Sequence, residues 1–170
     1  MAAGDMHITI RPYRNLDRKT VSKLICDMQR AMMAFDEVRE RDIKQGYGEA
    51  VLSEMLRAVS SRKECLYVAV AGSEVVGYVN GSRPGKPSRS ELLGRRSPAR
   101  IFGEVEMIYI APEYRRTSAG TMLMKKAEEW LKRNGCNVVV VHYYSANRKA
   151  VPFYKKLGYR CRSMMSYKEV

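Results

Sequence analysis

Residues 103 to 123 read GEVEMIYIAPEYRRTSAGTML, and this stretch decides the fold. Its first part, GEVEMIYIA, has the apolar character of a strand, and residues 119 to 133 repeat apolar side chains at helical spacing. The turn between strand and helix carries paired arginines, small residues and hydroxyls. Because the first turn of a helix has amides without intrahelical partners and the positive end of the helix dipole, this turn is a candidate phosphate site.

The sequence before this stretch predicts one strand, two helices and a hairpin. MHITIRPY alternates apolar and polar residues, as a strand does, and Asp17 is predicted to cap a helix from Arg18 to Phe35. After a charged connection, EAVLSEMLRAVSS predicts a second helix. CLYVAVAGSEVVGYVNG contains two β-rich runs joined at residues 71 to 74, which is typical of a hairpin. Residues 82 to 100 are predicted to form a long basic loop.

The sequence after residue 123 predicts the other half of a βαβ unit. Asn134-Gly135 is predicted to stop the helix, and NVVVVHYY is so continuously apolar that it predicts a strand buried on both faces in a parallel pair. The remaining residues predict a short helix, interrupted by Pro152 and ended by Gly158, and then a closing strand. We therefore expect a single α/β domain over residues 1 to 170, with a mixed sheet and one βαβ unit over residues 102 to 143.

Composition and cysteine usage exclude several classes of protein. The chain has 45% hydrophobic residues, which is enough for an ordinary core, and no apolar run approaches the roughly 20 residues that span a bilayer. MAAGDMHITIRP has no long apolar region of the signal-peptide kind, so we expect a soluble cytoplasmic protein with no membrane partner. The four cysteines form no C-x-x-C pair and lie near neither histidine, which favours inert thiols and no metal.

The net charge of +13 is the unusual feature of the composition. A field of that sign favours polyanions, whether nucleic acid, an acidic protein surface or a phosphorylated cofactor. No zinc-finger spacing or RNA-binding aromatic motif is present, so nucleic acid is a partner suggested by charge alone.

Three motifs at matching separations make the chain resemble the GCN5-related N-acetyltransferase (GNAT) superfamily. The strand-like EMIYIAPEYRR leads into RRTSAG, which is similar to the family's acyl-CoA loop Q/R-x-x-G-x-G/A with Ser118 in place of the first glycine. Downstream, SANRKAVPFYKKLGYR is similar to the family helix N-x-x-A-x-x-F-Y-x-x-L-G-F/Y. The resemblance covers about residues 103 to 160, and it implies a mixed central sheet flanked by helices on both faces.

The resemblance also implies acetyl-CoA as co-substrate and assigns residues to it. Backbone groups of the strand would pair with the pantetheine arm and polarise the thioester carbonyl, the loop would bind the pyrophosphate, and Asn147 would contact the pantetheine, with helix capping as its competing role. The cofactor-binding residues so assigned are Met107, Ile108, Tyr109, Ile110, Arg115, Arg116, Thr117, Ser118, Ala119, Gly120, Thr121 and Asn147.

Acyl transfer to a primary amine needs a base for the ammonium and a proton for the departing sulfur. Glu104 and Glu106 lie two apart and therefore share one face of the strand, and Glu104 matches the base of the histone-acetylating members of the family. Tyr154 matches the family tyrosine that hydrogen-bonds and protonates the CoA sulfur. His142 is a further candidate proton carrier, although a core histidine with satisfied hydrogen bonds is the favoured interpretation.

The acceptor is left open between two chemistries. Acidic residues after the first helix would receive a cationic amine such as a polyamine, an aminoglycoside or lysine, whereas the basic loop at 82 to 100 would suit an acidic peptide or a phosphorylated metabolite. Those acidic residues are Asp36, Glu37, Glu40 and Asp42. The alternatives to an N-acetyltransferase are a basic nucleic-acid-binding protein and an acyl-CoA-binding sensor with a vestigial site. Oligomeric state is also open, with a homodimer as one expectation.

Overall fold

The computed structural model describes residues 7–36, 38, 42–83 and 100–168, which form one five-stranded sheet with four α-helices. The strands are β1 (Ile8–Pro12), β2 (Glu64–Ala71), β3 (Glu74–Ser82), β4 (Phe102–Ile110) and β5 (Val138–Val141). The helices are α1 (Arg18–Met33), α2 (Tyr47–Ser60), α3 (Ala119–Arg133) and α4 (Ala150–Lys156). The sheet follows chain order, and its neighbours are antiparallel except β4 and β5, which are parallel.

Each face of the sheet buries apolar side chains against a different pair of helices. On one face, residues of α3 and α4 pack against β3 and β4, with Leu123, Met124 and Leu131 fully buried. On the other, α1 and α2 supply Val21, Ile25 and others that cover β2 and β3. The alternation of the strands and the stripes of the helices therefore produce the expected mixed sheet with helices on both faces, and that prediction of the fold is confirmed.

Helices α1 and α2 cross in close contact at Gly48. A Cβ atom at this position would lie 2.2 Å from the backbone oxygen of Ser22 and 2.7 Å from the sulfur of Cys26. Because the nearest atom belongs to the backbone of α1, the crossing leaves no room for any side chain. Glycine thus fixes the approach of α2 to α1.

Asp17 does not cap α1 as predicted. It occupies the N-cap position without a side-chain hydrogen bond to the helix, and its carboxylate instead accepts two bonds from the Arg11 guanidinium, at 2.6 and 2.8 Å, and one from the Arg14 amide at 2.8 Å. Burial acts to raise the pKa of Asp17, but the bonds from Arg11 and Arg14 outweigh it and hold the pKa below its ordinary value. The carboxylate therefore joins β1 to the turn before α1.

The βαβ unit formed by β4, α3 and β5 is present, but β5 is less buried than predicted. All four of its residues are half-buried, because β5 is the last strand of the sheet and, among the described residues, no strand lies beyond it. The continuous apolar sequence of residues 138 to 141 therefore predicted the parallel strand correctly and its burial incorrectly. Gly135, at φ +87°, ends α3 as predicted.

The predicted closing strand does not form within the described residues. Residues 159 to 168 have no regular secondary structure, and the side chains of Met164 and Met165 are 91% and 97% exposed. A strand is stabilised by a partner ladder and by a buried face, and this segment has neither in the structure. The guanidinium of Arg162 lies 4.8 Å from the centroid of the Phe102 ring, so the segment passes the beginning of β4.

Candidate active site

The second half of β4 has one open edge, and this opening defines the candidate site. On one side β4 pairs with β3 as far as Ile110, whereas on the other its pairing with β5 stops at Val105. The register with β3 skips Glu106, which is therefore a β-bulge residue. In a strand alternate backbone groups point to opposite edges, so the segment Met107–Ile110 directs amides and carbonyls into the opening. These are the backbone groups assigned to the pantetheine.

The turn that follows β4 is braced by hydrogen bonds from its own side chains. Arg115 donates to the backbone oxygen of Ile110 at 3.0 Å and lies over the Tyr109 ring at 5.4 Å. Thr117 donates to the oxygen of Tyr114 at 2.8 Å and accepts from the amide of Ala119 at 3.3 Å. Arg115 is thereby tied to the end of β4, and the neighbouring Arg116 is exposed in the turn, three residues before α3 begins.

Serine is accommodated at position 118 without backbone strain. Ser118 has φ −72°, in the ordinary helical region, and it is the residue that immediately precedes α3. The left-handed conformation falls instead on Arg116, at φ +65°. A non-glycine residue in this region costs about 1 to 2 kcal/mol, and such strain is concentrated at ligand-binding turns.

The three sequence motifs meet at Gly120 in the first turn of α3. A Cβ atom there would lie 3.4 Å from the Phe153 ring of α4 and 3.9 Å from the Ile110 side chain of β4. The end of β4, the start of α3 and helix α4 are therefore adjacent. Asn147 lies two residues before Lys149, the N-cap position of α4, so capping is not its role in this structure.

Tyr154 lies in a cluster of aromatic rings beside this junction. Its ring stacks on Tyr143 at 5.2 Å and meets the edges of Phe153 at 5.2 Å and Tyr159 at 5.7 Å. Burial, together with the neighbouring Tyr143, raises the pKa of Tyr154 to about 12. The phenol is held protonated at neutral pH and is a hydrogen-bond donor.

Glu104 is paired with His142, which sequence analysis favoured as a core residue. The Nδ1 atom of His142 lies 2.8 Å from Oε1 of Glu104. The imidazole is 80% exposed and the carboxylate 36% exposed, so the histidine is not in the core. The contact forms because Glu104 lies opposite Val140 on β5 and His142 follows the end of that strand.

A second group of carboxylates, formed by Glu64, Glu106 and Glu54, lies on the α1 and α2 side of the sheet. Sequence analysis missed Glu64 and Glu54. Glu64 at the start of β2 accepts a 2.9 Å hydrogen bond from Asn80 on β3, whose own Oδ1 is buried without a partner. Burial raises the pKa of Glu64, and the negative charges of Glu106 and Glu54 raise it further. Polar residues at 64 and 80, in otherwise apolar strands, were the signal available in the sequence.

The acidic segment after α1 is only partly described. Oδ2 of Asp36 lies 3.5 Å from the hydroxyl of Tyr144, two residues beyond His142, so the end of α1 approaches the segment after β5. Asp42 is also described, whereas Glu37, Glu40 and residues 84 to 99 of the basic loop lie outside the described residues. Within the described ranges, no group of three or more His, Cys, Asp or Glu side chains is placed to bind a metal ion, and none of the helices there is long and apolar enough to cross a membrane.

Comparison with known proteins identifies the family. A model of the acetyltransferase (GNAT) family matches residues 31–159, which is more than half of the chain. The chain belongs to this family, so the resemblance drawn from the motifs is confirmed. The description of this family, acetyltransferase, is the class of enzyme that the motifs predicted.

Individual relatives are more distant. The chain is 33% identical over 84 residues to a thialysine N-epsilon-acetyltransferase of Sus scrofa, an alignment that covers 45% of the chain and 49% of that protein. It is 27% identical over 133 residues to an uncharacterized N-acetyltransferase of Methanocaldococcus jannaschii, covering 78% and 74% of the two chains. The chain spans about half of the length of the first of these relatives, and only 26% of another N-acetyltransferase of Methanocaldococcus jannaschii.

Solved structures share the fold over nearly the whole chain. The aminoglycoside N-acetyltransferase AAC(6')-Iy in complex with CoA superposes with a TM-score of 0.73 at 15% identity, covering 99% of both chains. The PaiA N-acetyltransferase of Thermoplasma acidophilum in complex with coenzyme A gives 0.72 at 22% identity, covering 94% of both. At these identities the likeness supports the fold, and the assignment of site residues rests on the geometry above.

Proposed function

We propose that the protein transfers the acetyl group of acetyl-CoA to a primary amine that is itself part of a small cationic molecule. The observation that carries the proposal is the open edge of β4 at Met107–Ile110, which runs directly into the braced turn Arg115–Thr121 at the start of α3. An extended pantetheine arm needs unpaired strand amides, and a pyrophosphate needs a helix start with nearby positive charge. The unpaired amides of β4 and the start of α3 are adjacent, so one extended cofactor can contact both.

The reaction assigns each group one part. The amine loses a proton and attacks the thioester carbonyl, a C–N bond forms, and the C–S bond breaks to release CoA as thiol. A β4 amide in the opening donates to the carbonyl oxygen as negative charge develops on it. Glu104 and Glu106 are the carboxylates beside the opening that draw the proton from the ammonium, and Asn147 contacts the pantetheine. Tyr154 donates a hydrogen bond to the departing sulfur.

The carboxylates of the α1 and α2 side support a cationic acceptor. The negative charge of Glu106 raises the pKa of Glu64, so the two carboxylates repel each other, and a second positive charge on the acceptor would relieve that repulsion. A thialysine N-epsilon-acetyltransferase is among the relatives, and aminoglycoside N-acetyltransferases are among the structural neighbours; thialysine and aminoglycosides are cationic amines. A polyamine, an aminoglycoside or a basic amino acid is therefore the proposed class of acceptor.

The test is thiol release from acetyl-CoA with a panel of amines. Spermidine, thialysine and neamine represent the proposed class, and a peptide rich in aspartate with one free amine represents the opposite class. We expect the cationic acceptors to give the larger kcat/KM. Glu106→Gln should raise the KM for the best acceptor about tenfold with little change in the KM for acetyl-CoA, since one charge-assisted contact is lost.

Glu129→Gln provides the matched control, because Glu129 is an exposed carboxylate on α3, whose helix covers the opposite face of the sheet. Its kinetics should equal those of the wild type. Preference for the acidic peptide, or equal effects of the two substitutions, would refute the cationic class of acceptor. Acetyl-CoA binding without thiol release for any amine would refute the enzymatic proposal itself.

A further inference from the structure

We infer that His142 is the group that takes the proton from the acceptor amine, and that Glu104 positions it. This inference rests on the proposed function and changes the part played by Glu104, which then acts through the imidazole. The two residues come from different strands, and neither the fold family nor the motifs assign a role to position 142. Their 2.8 Å contact is made beside the opening in β4.

The hydrogen bond fixes which nitrogen is available. An ionised carboxylate only accepts hydrogen bonds, so the contact with Oε1 of Glu104 requires the hydrogen to lie on Nδ1 of His142. In the neutral ring Nε2 then carries the lone pair and points away from Glu104. A carboxylate that orients imidazole in this way also stabilises the imidazolium that forms when Nε2 takes a proton.

Exposure supports the same assignment. The His142 side chain is 80% exposed, so Nε2 is accessible to an incoming amine, whereas the Glu104 carboxylate is 36% exposed and one of its oxygens is already bonded. Imidazole is also a stronger base than a carboxylate, and a base is most effective when its affinity for protons is closer to that of the group it deprotonates. The imidazole is therefore the better placed and the better suited of the two.

The neighbouring residue links this dyad to the proposed proton donor. Tyr143 follows His142 and stacks on Tyr154 at 5.2 Å. Tyr143 packs with the core on the α3 side of the sheet, together with Val139 and Val141. Residues 140 and 142 alternate with these three, as in an extended chain, and so belong to the opposite side. The segment after β5 thus carries a base on one side and contacts a donor on the other, beside the carbonyl-binding edge of β4.

The proton balance is complete without a further reagent. Nε2 accepts one proton from the ammonium, and the neutral amine attacks the thioester carbonyl to form the C–N bond. As the C–S bond breaks, the nitrogen releases its second proton to solvent, and the thiolate takes up one proton with help from Tyr154 and solvent. The imidazolium then returns its proton to water. No electron transfer is involved.

The test is a set of single-turnover measurements of acetyl transfer from acetyl-CoA to spermidine, or to whichever of thialysine and neamine reacts faster. His142→Asn keeps an amide donor near the position of Nδ1 but has no basic nitrogen, and its rate should fall by about 10²-fold or more. Glu104→Gln keeps an oxygen acceptor for Nδ1–H of His142, so its rate should fall by a smaller factor than that of His142→Asn. His7→Asn is the control, since His7 is the other histidine of the chain and is exposed.

Chemical rescue separates a base from a structural residue. His142→Ala leaves an opening to solvent, and added imidazoles should restore the rate in proportion to their basicity. The inference is overturned if His142→Asn reacts at the wild-type rate, if rescue does not depend on the basicity of the added imidazole, or if Glu104→Gln abolishes transfer while His142→Asn does not. Absence of transfer by the wild type to any of the three amines would instead refute the proposed function, and the role of His142 with it.

Discussion

Replacement of Tyr154 by Phe is the sharpest perturbation of the proposed chemistry. The substitution keeps the ring, and with it the stacking on Tyr143 and the contact with Phe153, so the fold and acetyl-CoA affinity should persist. It removes only the hydroxyl that faces the departing sulfur in the proposal. The expected effect is therefore confined to the step in which the C–S bond breaks.

The raised pKa of Tyr154 sets the magnitude. Because the pKa of the phenol is about 12 and that of an alkyl thiol is about 8.5, complete proton transfer to the thiolate is uphill by about 5 kcal/mol. The phenol therefore acts chiefly as a hydrogen-bond donor. A hydrogen bond to a charged acceptor contributes about 1.5 to 3 kcal/mol. At about 1.4 kcal/mol for each factor of ten, the single-turnover rate of Tyr154→Phe should fall about 10- to 150-fold.

The assay is single-turnover thiol release with saturating acceptor, combined with thermal unfolding to confirm that the variant is folded. A residue that only packs in the core would give almost no change in rate from this substitution. A wild-type rate in a folded Tyr154→Phe protein, under conditions where the chemical step limits the rate, would remove Tyr154 from the mechanism and leave solvent as the proton source.

Three further predictions concern the cofactor turn and the fold. Arg116→Ala should weaken acetyl-CoA binding about tenfold and reduce the rise in thermal midpoint on adding acetyl-CoA, whereas Lys132→Ala, an exposed cation in the last turn of α3, should not; equal shifts would contradict the phosphate assignment. Gly48→Ala should destabilise the fold by about 3 kcal/mol in urea unfolding, against about 1 kcal/mol for Gly135→Ala, where space is open but φ is positive; the reverse order would contradict the close helix crossing. Asp17→Asn should lower the free energy of unfolding by about 2 to 3 kcal/mol at neutral pH. Because the pKa of Asp17 is depressed in the folded protein, this difference from the wild type should shrink as pH falls through about 4 and below. A difference independent of pH would contradict the ion pair.

The sequence predicted local structure well where several signals agreed. The strand before Ala111, the turn of small residues and the amphipathic stripe after it specify one βαβ unit, and Gly135 ends its helix in the left-handed conformation. The segment after Gly158, predicted to form the closing strand, had no such agreement of signals. Without a partner ladder or a buried face it forms no strand among the described residues, since strand formation depends on pairing that local sequence does not encode.

The site was predicted in part, for the same reason. Backbone assignments at Met107–Ile110 depend on one strand and coincide with the open edge. The pairing of Glu104 with His142 depends on the register of β4 with β5, and the proximity of Glu64 to Glu106 depends on the sheet and on a bulge, none of which has a signature in either residue's neighbourhood. The choice of acceptor depends on side chains from several elements, so the sequence left it open between a cationic amine and an acidic or phosphorylated molecule.

The most direct test of the central claim is the identity of the product. Wild-type protein is incubated with acetyl-CoA and spermidine, thialysine or neamine, and mass spectrometry of the amine is compared with the amount of CoA thiol released. We predict an acetylated amine in equal amount to the free thiol, and none when the protein is omitted. Thiol release without an acetylated amine, or bound acetyl-CoA that remains intact with every one of these acceptors, would contradict the account.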